Sequence, residues 1–537
     1  MQYDFIIVGA GSAGCVLTRR LVEQQFSVLL LEAGPKDSHP WIHVPIGYGK
    51  TMFDYRVNWG YTTESDPGIN SRRMYWPRGK VLGGSSSING LIYVRGQPED
   101  YNAWARAGCT GWAYHDVLPY FRKAENHIRG ADAYHGVSGP LTVSDIGESH
   151  PLCDAFIESG QAVGIPRNDD FNGASQEGIG YFQLTTRNGY RCSTARAYLK
   201  PVQGRTNLTI ATGAQCLNVE LENGRVTGVR YRQRDTIYTA RAAREVIVAA
   251  GAINTPQILE LSGIGPKAKL SEHCITLVRQ SDAVGENLRD HLQTRLIYRC
   301  TDRITTNDDL NNPLRKLRIG LRYITSRSGP LAVGINQAGG FMHSRPDVAR
   351  PDIQFHFGTL SSDSPGSPVH RFPGFTLSAC QLHPRSTGSV HIQSPDPERY
   401  PAIHPNYLSN DHDIDVLVDG LKLARRLAIT EPLSRYIVEE YAPGPHHMSD
   451  DSLRDFIRDD ATTIFHPCGT CRMGSDQDSV VDPELRVRGV PGLRLADASI
   501  MPDIPSGNTN APVVMIGEKA ADLILDAHLA KATSRVA

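Results

Sequence analysis

Short runs of apolar, β-branched residues recur along this chain. They are separated by glycine-rich turns and by segments whose apolar positions repeat every three or four residues. The first unit is the clearest. Tyr3 to Val8 is a β-rich run, Gly9-Ala10-Gly11-Ser12-Ala13-Gly14 follows at once, and Val16, Leu17 and Leu21 then keep helical spacing. A second β-run, Ser27 to Leu31, ends in Glu32. Val246 to Ala249 is another buried strand passing into a glycine turn, with a helix predicted to start near Thr255-Pro256, where an early proline is tolerated. Near the C-terminal end, "GLRLADASIMPDIPSGNTNAPVVMIGEKAADLIL" gives a short strand, Asp497, a proline-rich loop and a closing helix. The middle differs. "PDIQFHFGTL" and "FTLSACQLHPRSTGSVHIQS" are β-rich with turn residues between them, which predicts an antiparallel sheet. "DIDVLVDGLKLARRLAI" has helical spacing, and Ser361 to Gly374, rich in Ser, Pro and Gly, reads as an exposed loop near a site entrance.

The opening unit is strand, glycine turn, helix, strand, acid: the full context that a G-x-G-x-x-G match requires. Gly9 permits the tight turn, Gly11 lets the backbone close on a pyrophosphate, and Gly14 lets the helix pack on the strand. The helix N-terminus faces the phosphates. Glu32 accepts hydrogen bonds from ribose hydroxyls and would repel a 2′-phosphate, which argues against NADP. The fingerprint serves NAD and FAD alike, so it leaves the redox cofactor open. A second cluster, Gly83-Gly84-Ser85-Ser86, offers unhindered N–H groups and hydroxyls; taken alone it reads as an ordinary loop.

Composition adds bounds. At 537 residues the chain exceeds what one core holds, so two domains are expected. With 40% hydrophobic and 21% charged residues it is an ordinary globular protein. Fifty-six basic against 57 acidic residues leave a net charge of -1, so no bulk field draws it to nucleic acid, and none is expected as partner. Ten cysteines form no tight framework, which suits reduced thiols and a cytoplasmic location. No signal peptide or transmembrane segment is read; peripheral contact with a membrane and assembly into a homo-oligomer stay open.

"TIFHPCGTCRMGSD", Thr463 to Asp476, holds a C-x-x-C pair, Cys468 and Cys471, with His466 two residues upstream. Haem attachment needs the histidine after the cysteines, and zinc needs two further ligands at suitable spacing, which the chain lacks. No metal is expected, and the cysteines read as small buried residues. Taken alone, His466 reads as a structural histidine in a buried turn.

The order of segments resembles the glucose–methanol–choline (GMC) family of FAD-dependent oxidoreductases. The matching residues are GAGSAG with Glu32, "GKVLGGSSSIN", "GAINTPQILELSGIG", "VGENLRDH" at Val284 to His291, "HPCGTCRMG" and "ADASIMP…GNTNAP", together spanning residues 3 to about 525. Within the family the chain is most similar to bacterial alcohol dehydrogenases related to choline, L-sorbose and polyethylene-glycol dehydrogenases. The resemblance implies an α/β fold: a Rossmann-type FAD-binding domain (1–158, 199–300 and 462–537) interleaved with an α+β substrate or cap domain on an antiparallel sheet (159–198 and 301–461).

It further implies FAD lying extended. Adenosine would sit near Glu32 and Ala33, pyrophosphate on Gly11, Ser12 and Ala13, and the flavin ring against Gly84 to Ile92, Asp497-Ala498 and Thr509-Asn510. Gly9, Gly14, Gly83, Ser85, Asn89, Gly90, Leu91, Cys216 and Phe465 complete the expected cofactor-binding set. Some relatives link the flavin covalently through a histidine where this chain has Ile88, so noncovalent FAD is expected. His466 matches the family's base, and Asn510 is assigned its second active-site position, orienting the oxygen of a small alcohol substrate. A histidine suits the proton step, since its ordinary pKa lies near neutral. The expected reaction is oxidation of an alcohol to an aldehyde or ketone, with electrons passing to a quinone, a cytochrome or oxygen. An oxidase, a non-redox FAD lyase, a nicotinamide-dependent dehydrogenase and a nucleotide-binding sensor are the alternatives. His343, His356, His383 and His446-His447 fall in the cap without a persuasive spacing.

Overall fold

The computed structural model describes residues 2–533. The apolar run Gln2–Val8 becomes the central strand of a seven-stranded sheet because it is flanked on both sides, by Val28–Glu32 and by Thr236–Val248, in parallel register. Leu208–Thr212 extends this parallel side beyond Val28–Glu32. Leu493–Leu495 adds in parallel to the end of Thr236–Val248, so the C-terminal segment returns to the strand where the glycine turn at Gly251 begins. On the other side the sheet turns antiparallel, through Arg225–Gln233 and Ala214–Glu222. The helix Ser12–Glu23 packs against the helix Asn510–Thr533, which brings the two ends of the chain together.

The helix predicted near Thr255-Pro256 starts earlier, at Gly251, and runs to Leu261 with Pro256 inside it. A proline there removes the N–H that would bond the Ala252 carbonyl. Thr470 Oγ1 donates to that carbonyl instead, at 2.6 Å. A threonine of the HPCGTC segment thereby stitches the helix to it.

A second seven-stranded sheet is antiparallel throughout its main path. Its order is Ile437–Ala442, Leu292–Cys300, Gly374–Gln381, Ile353–Gly358, Asn336–Met342, Gly178–Tyr181, with Thr462–Thr463 paired to Leu292–Gln293. The amphipathic helix Asp411–Ala428 covers one face, burying Ile414, Leu417, Leu421 and Ala424. Two expected boundaries move. Leu292–Cys300 pairs in this second sheet, not with the first, and the helix Pro151–Ala162 buries Leu152, Phe156 and Ile157 in the second core. Strand pairing and apolar packing, not the position of motifs, decide those edges.

Candidate active site

One cavity joins the two sheets. Its wall runs from Glu32 and Ala33, past Gly9 and Gly11 to Ala13, along Gly84, Ser85 and Asn89 to Ile92, then to Asp497, Ala498, Thr509 and His466. Its empty space, open mouth included, is about 2070 Å³. Cys216, Phe465 and Asn510 line it as well.

The nucleotide end is built from backbone. Gly9 holds φ of +100°, and a Cβ there would lie 2.5 Å from the Ala249 carbonyl oxygen. A Cβ on Gly14 would stand 1.9 Å from the carbonyl of Gly9, and one on Gly84 2.7 Å from the Cα of Gly11. Three backbones meet here at distances that a side chain forbids. The helix Ser12–Glu23 begins with no side-chain cap and no acid in its first turn, so its first N–H groups and its positive end are left for an anion. Glu32 is fixed by the N–H of Ala10 on Oε2 (3.0 Å) and that of Gly34 on Oε1 (2.8 Å). Burial pushes its pKa up to about 7. Asp497 accepts from the N–H of Gly251, from Thr255 Oγ1 and from the N–H of Ser499, which ties the strand-turn-helix at Gly251 to the last strand. These residues fit an extended FAD: a phosphate-ready helix end, a side-chain-free cradle and a carboxylate for the ribose.

Gly14 and Gly83 do not line the cavity. Gly14 packs on Gly9 as expected of it. Gly83 was expected among the cofactor contacts, but its N–H is spent on the Ala10 carbonyl and its own carbonyl accepts from Ser86 Oγ, so it shapes the loop from behind. Ile88, 5% exposed, faces the cavity.

The other end is built from side chains on separate elements. The short strand Thr462–Thr463 pairs with Leu292–Gln293, and the Ile464 N–H donates to the His291 carbonyl. That register places His466 beside His291. Asp290 accepts from the His466 N–H at 2.7 Å and from Thr463 Oγ1 and Tyr407 Oη, fixing the turn. Phe465 is in the left-handed region (φ 69°), a costly conformation for a phenylalanine. Its N–H bonds to Thr463 Oγ1 and its carbonyl accepts from Arg78, so both sides of the strained unit are held.

A chain of hydrogen bonds sets the tautomer of His466. His291 Nε2 lies 3.0 Å from the Leu382 carbonyl, which only accepts, so Nε2 carries the proton. His291 Nδ1 is then bare and accepts from His466 Nδ1–H at 3.0 Å. His466 Nε2 is left as a lone pair facing the cavity, where it accepts from Asn508 Nδ2 at 3.2 Å. Gln354 Nε2 donates to Asn508 Oδ1, which orients that amide. Burial, then His291, His356 and Arg78, hold the His466 pKa well below its ordinary value. The imidazole is therefore neutral at pH 7, with an unprotonated nitrogen free to accept a proton.

Asn510 is corrected here. Its Oδ1 accepts from Ser12 Oγ at 2.7 Å, at the start of the Asn510–Thr533 helix, so it belongs to the nucleotide end. The asparagine beside His466 is Asn508, two residues earlier. The side chains of a loop entering a helix diverge within two residues, and the string "GNTNAP" does not say which asparagine points where. His291, Asp290, Arg78, Gln354 and Asn508 were missed. The signal for the first two was present, since both close the "VGENLRDH" block. His356 also lines the cavity; its Nδ1 is buried without a partner and burial holds its pKa down to about 4.

Cys468 and Cys471 are fully buried, and burial raises both thiols well above their ordinary pKa. Their backbone bonds to Arg289 and Ser499 anchor the segment that carries His466. Glu125, His127 and His135 are the one group with metal-ligand proximity among the described residues. Arg95 is already ion-paired to Glu125, and both nitrogens of His135 are taken by Glu125 and Asp170. This is a buried charge cluster.

The whole chain has known counterparts. Family models described as GMC oxidoreductase match residues 3–293 and 384–517. An alcohol dehydrogenase [acceptor] of Pseudomonas putida is 43% identical over 98% of this chain and 96% of its own. The mitochondrial choline dehydrogenase of Mus musculus is 44% identical over 97% of this chain and 89% of its own. Among solved structures, formate oxidase of Aspergillus oryzae, studied for its FAD modification, superposes with a TM-score of 0.91 at 27% identity over 98% and 99% of the two chains. With a cavity that fits FAD from end to end and matches of this extent, the chain belongs to the GMC oxidoreductase family of FAD enzymes.

Proposed function

We propose that this FAD-dependent alcohol oxidoreductase acts on a neutral alcohol, with His466 Nε2 taking the hydroxyl proton and Asn508 holding the oxygen. The observation that carries the assignment is the tautomer chain from Leu382 through His291, which leaves the basic nitrogen of a neutral imidazole in the cavity. A hydroxyl placed between His466 Nε2 and the Asn508 amide donates to the first and accepts from the second. As the proton leaves, the Asn508 N–H faces the developing alkoxide charge. When bound, FAD supplies the two-electron sink for the carbinol hydrogen. Ile88 has no atom able to bond a flavin, which supports noncovalent binding.

The substrate reading rests on charge. The carboxylates lining the cavity, Glu32 and Asp497, are both spent on backbone N–H groups away from His466. Besides His466, the cavity is lined by Ile92, Asn336, Ile464, the aromatics Tyr48, Trp59 and Phe465, His356 and the cation Arg78, the last two close enough to lower the His466 pKa. A quaternary ammonium such as choline finds no counter-charge there and meets a guanidinium. Electrons then pass to an acceptor, which the name of the Pseudomonas putida relative supports without saying which, and a quinone- or cytochrome-type acceptor is the reading proposed for it.

Anaerobic mixing of the yellow protein with primary alcohols, sugars and choline tests this. Uncharged alcohols should bleach the flavin, and choline should do so at least about tenfold less well. Preferential bleaching by choline would overturn the substrate reading. A colourless folded protein would overturn the whole of it.

A further inference from the structure

The helix Pro313–Ser326 has the wrong face outward for a free surface. Leu314 is 76% exposed, Leu317 60%, Leu321 53% and Ile324 65%. At about 100° per residue these four fall within an arc of about 80°, a continuous apolar stripe. Ile319 and Tyr323 lie on the opposite side, and Tyr323 is the helix's buried residue, its Oη donating to the Gly189 carbonyl. The stripe therefore points straight away from the body of the protein. Leu310, on the preceding short helix, is also exposed.

The helix's own charges are of one sign. Between Asn312 and Ser328 the chain carries Arg315, Lys316, Arg318, Arg322 and Arg327 and no acidic residue. Arg315 and Arg322 reach acids on other elements, Asp309 and Glu148. Lys316 and Arg318 make no ion pair among the described residues.

The chain that follows the helix leads to the wall of the active-site cavity. From Ser326 the chain passes through Pro330–Ala332 to Gly334, where a Cβ would meet the Gly90 carbonyl at 3.2 Å. The Ile335 N–H donates to Tyr48 Oη, and Tyr48, Gly90 and Asn336 all line the cavity.

We propose that the Pro313–Ser326 helix docks the protein on an anionic lipid surface, its leucine stripe lying in the interface and its cations on the headgroups. A short apolar stripe beside a basic flank is the composition that lies in a bilayer surface without crossing it. No helix among the described residues is long and apolar enough to cross. A second copy of the chain fits worse, because pairing two such helices sets Lys316, Arg318 and Arg327, which make no ion pair among the described residues, against the same three cations of the other copy. Docking there brings the protein to the phase where a lipid-soluble acceptor resides. It deepens the acceptor proposal and rests on that proposal only for its purpose.

Co-sedimentation of the FAD-loaded protein with phosphatidylglycerol-containing vesicles, against phosphatidylcholine alone, reads this directly. The protein should pellet with the anionic vesicles at low salt and be released by high salt. Leu317→Glu/Leu321→Glu and Lys316→Glu/Arg318→Glu should each weaken binding at least about tenfold, with flavin content and alcohol bleaching in solution unchanged. Absence of wild-type binding, or variants that bind as wild type, would overturn the proposal. So would light scattering that shows a wild-type dimer dissolved by Leu317→Glu/Leu321→Glu. Alcohol bleaching is scored separately, so a failure of the alcohol reading shows itself apart from a failure of docking.

Discussion

The two ends of the cavity solve different problems with different materials. The nucleotide end is backbone: glycines at 9, 14 and 84 that let main chains approach, a helix end, and one acid held by two N–H groups. The alcohol end is side chain: His466, His291, Asn508, Gln354 and Asp290, drawn from the second sheet, the 463–466 turn and the loop before the last helix. A backbone site depends on local conformation, so a contiguous string encodes it. A side-chain site depends on register between distant strands, so a string names its members without saying how they meet.

The comparison breaks most sharply at His466. His466→Ala should keep the yellow colour, because nothing at the nucleotide end touches it, and should slow anaerobic flavin reduction by about 10²–10⁴-fold. Loss of FAD along with activity would show that the two ends are not separable. His291→Leu should come next. Removing the acceptor for His466 Nδ1–H frees the imidazole to take the other tautomer, and a loss of about 10–100-fold in reduction rate is expected. His291→Asn, whose amide oxygen can accept in the same place, should recover part of it. A purely structural role would give equal losses for both.

A smaller effect is one of pH. Proton transfer needs neutral His466, whose pKa is held below its ordinary value by burial first and then by neighbouring histidines and Arg78. The neutral form is then retained as pH falls through 6.5, and the rate is lost only below the depressed pKa. The acid limb of kcat/KM should therefore lie below pH 6.5. A limb at or above that value would mean that a different group is the base.

How much of this the sequence carried follows the same division. The strand, turn, helix and strand around GAGSAG, with Glu32 closing the second strand, are legible because they lie within one βαβ unit, where spacing dictates geometry. His466 is found only through the family resemblance, since a histidine two residues before a cysteine pair has no local signature of a base. Asn510 is misassigned by two residues because the turn before the last helix rotates its side chains, sending one asparagine to Ser12 and the other to His466. His291 escapes because its role comes from a cross-strand register, Leu292 against Thr463, that no periodicity announces. The docking helix escapes as well: its pattern looks like an ordinary amphipathic helix until the structure shows which face is outward.

The most direct test of two separable ends is a side-by-side measurement of flavin content and anaerobic bleaching rate in Asn508→Ala and Asn510→Ala. Asn508→Ala should retain FAD and lose at least about tenfold in bleaching rate. Asn510→Ala should bind FAD less tightly while the flavin it keeps is bleached within a few-fold of the wild-type rate. The reverse pattern, slow bleaching in Asn510→Ala and weakened FAD in Asn508→Ala, would contradict the account.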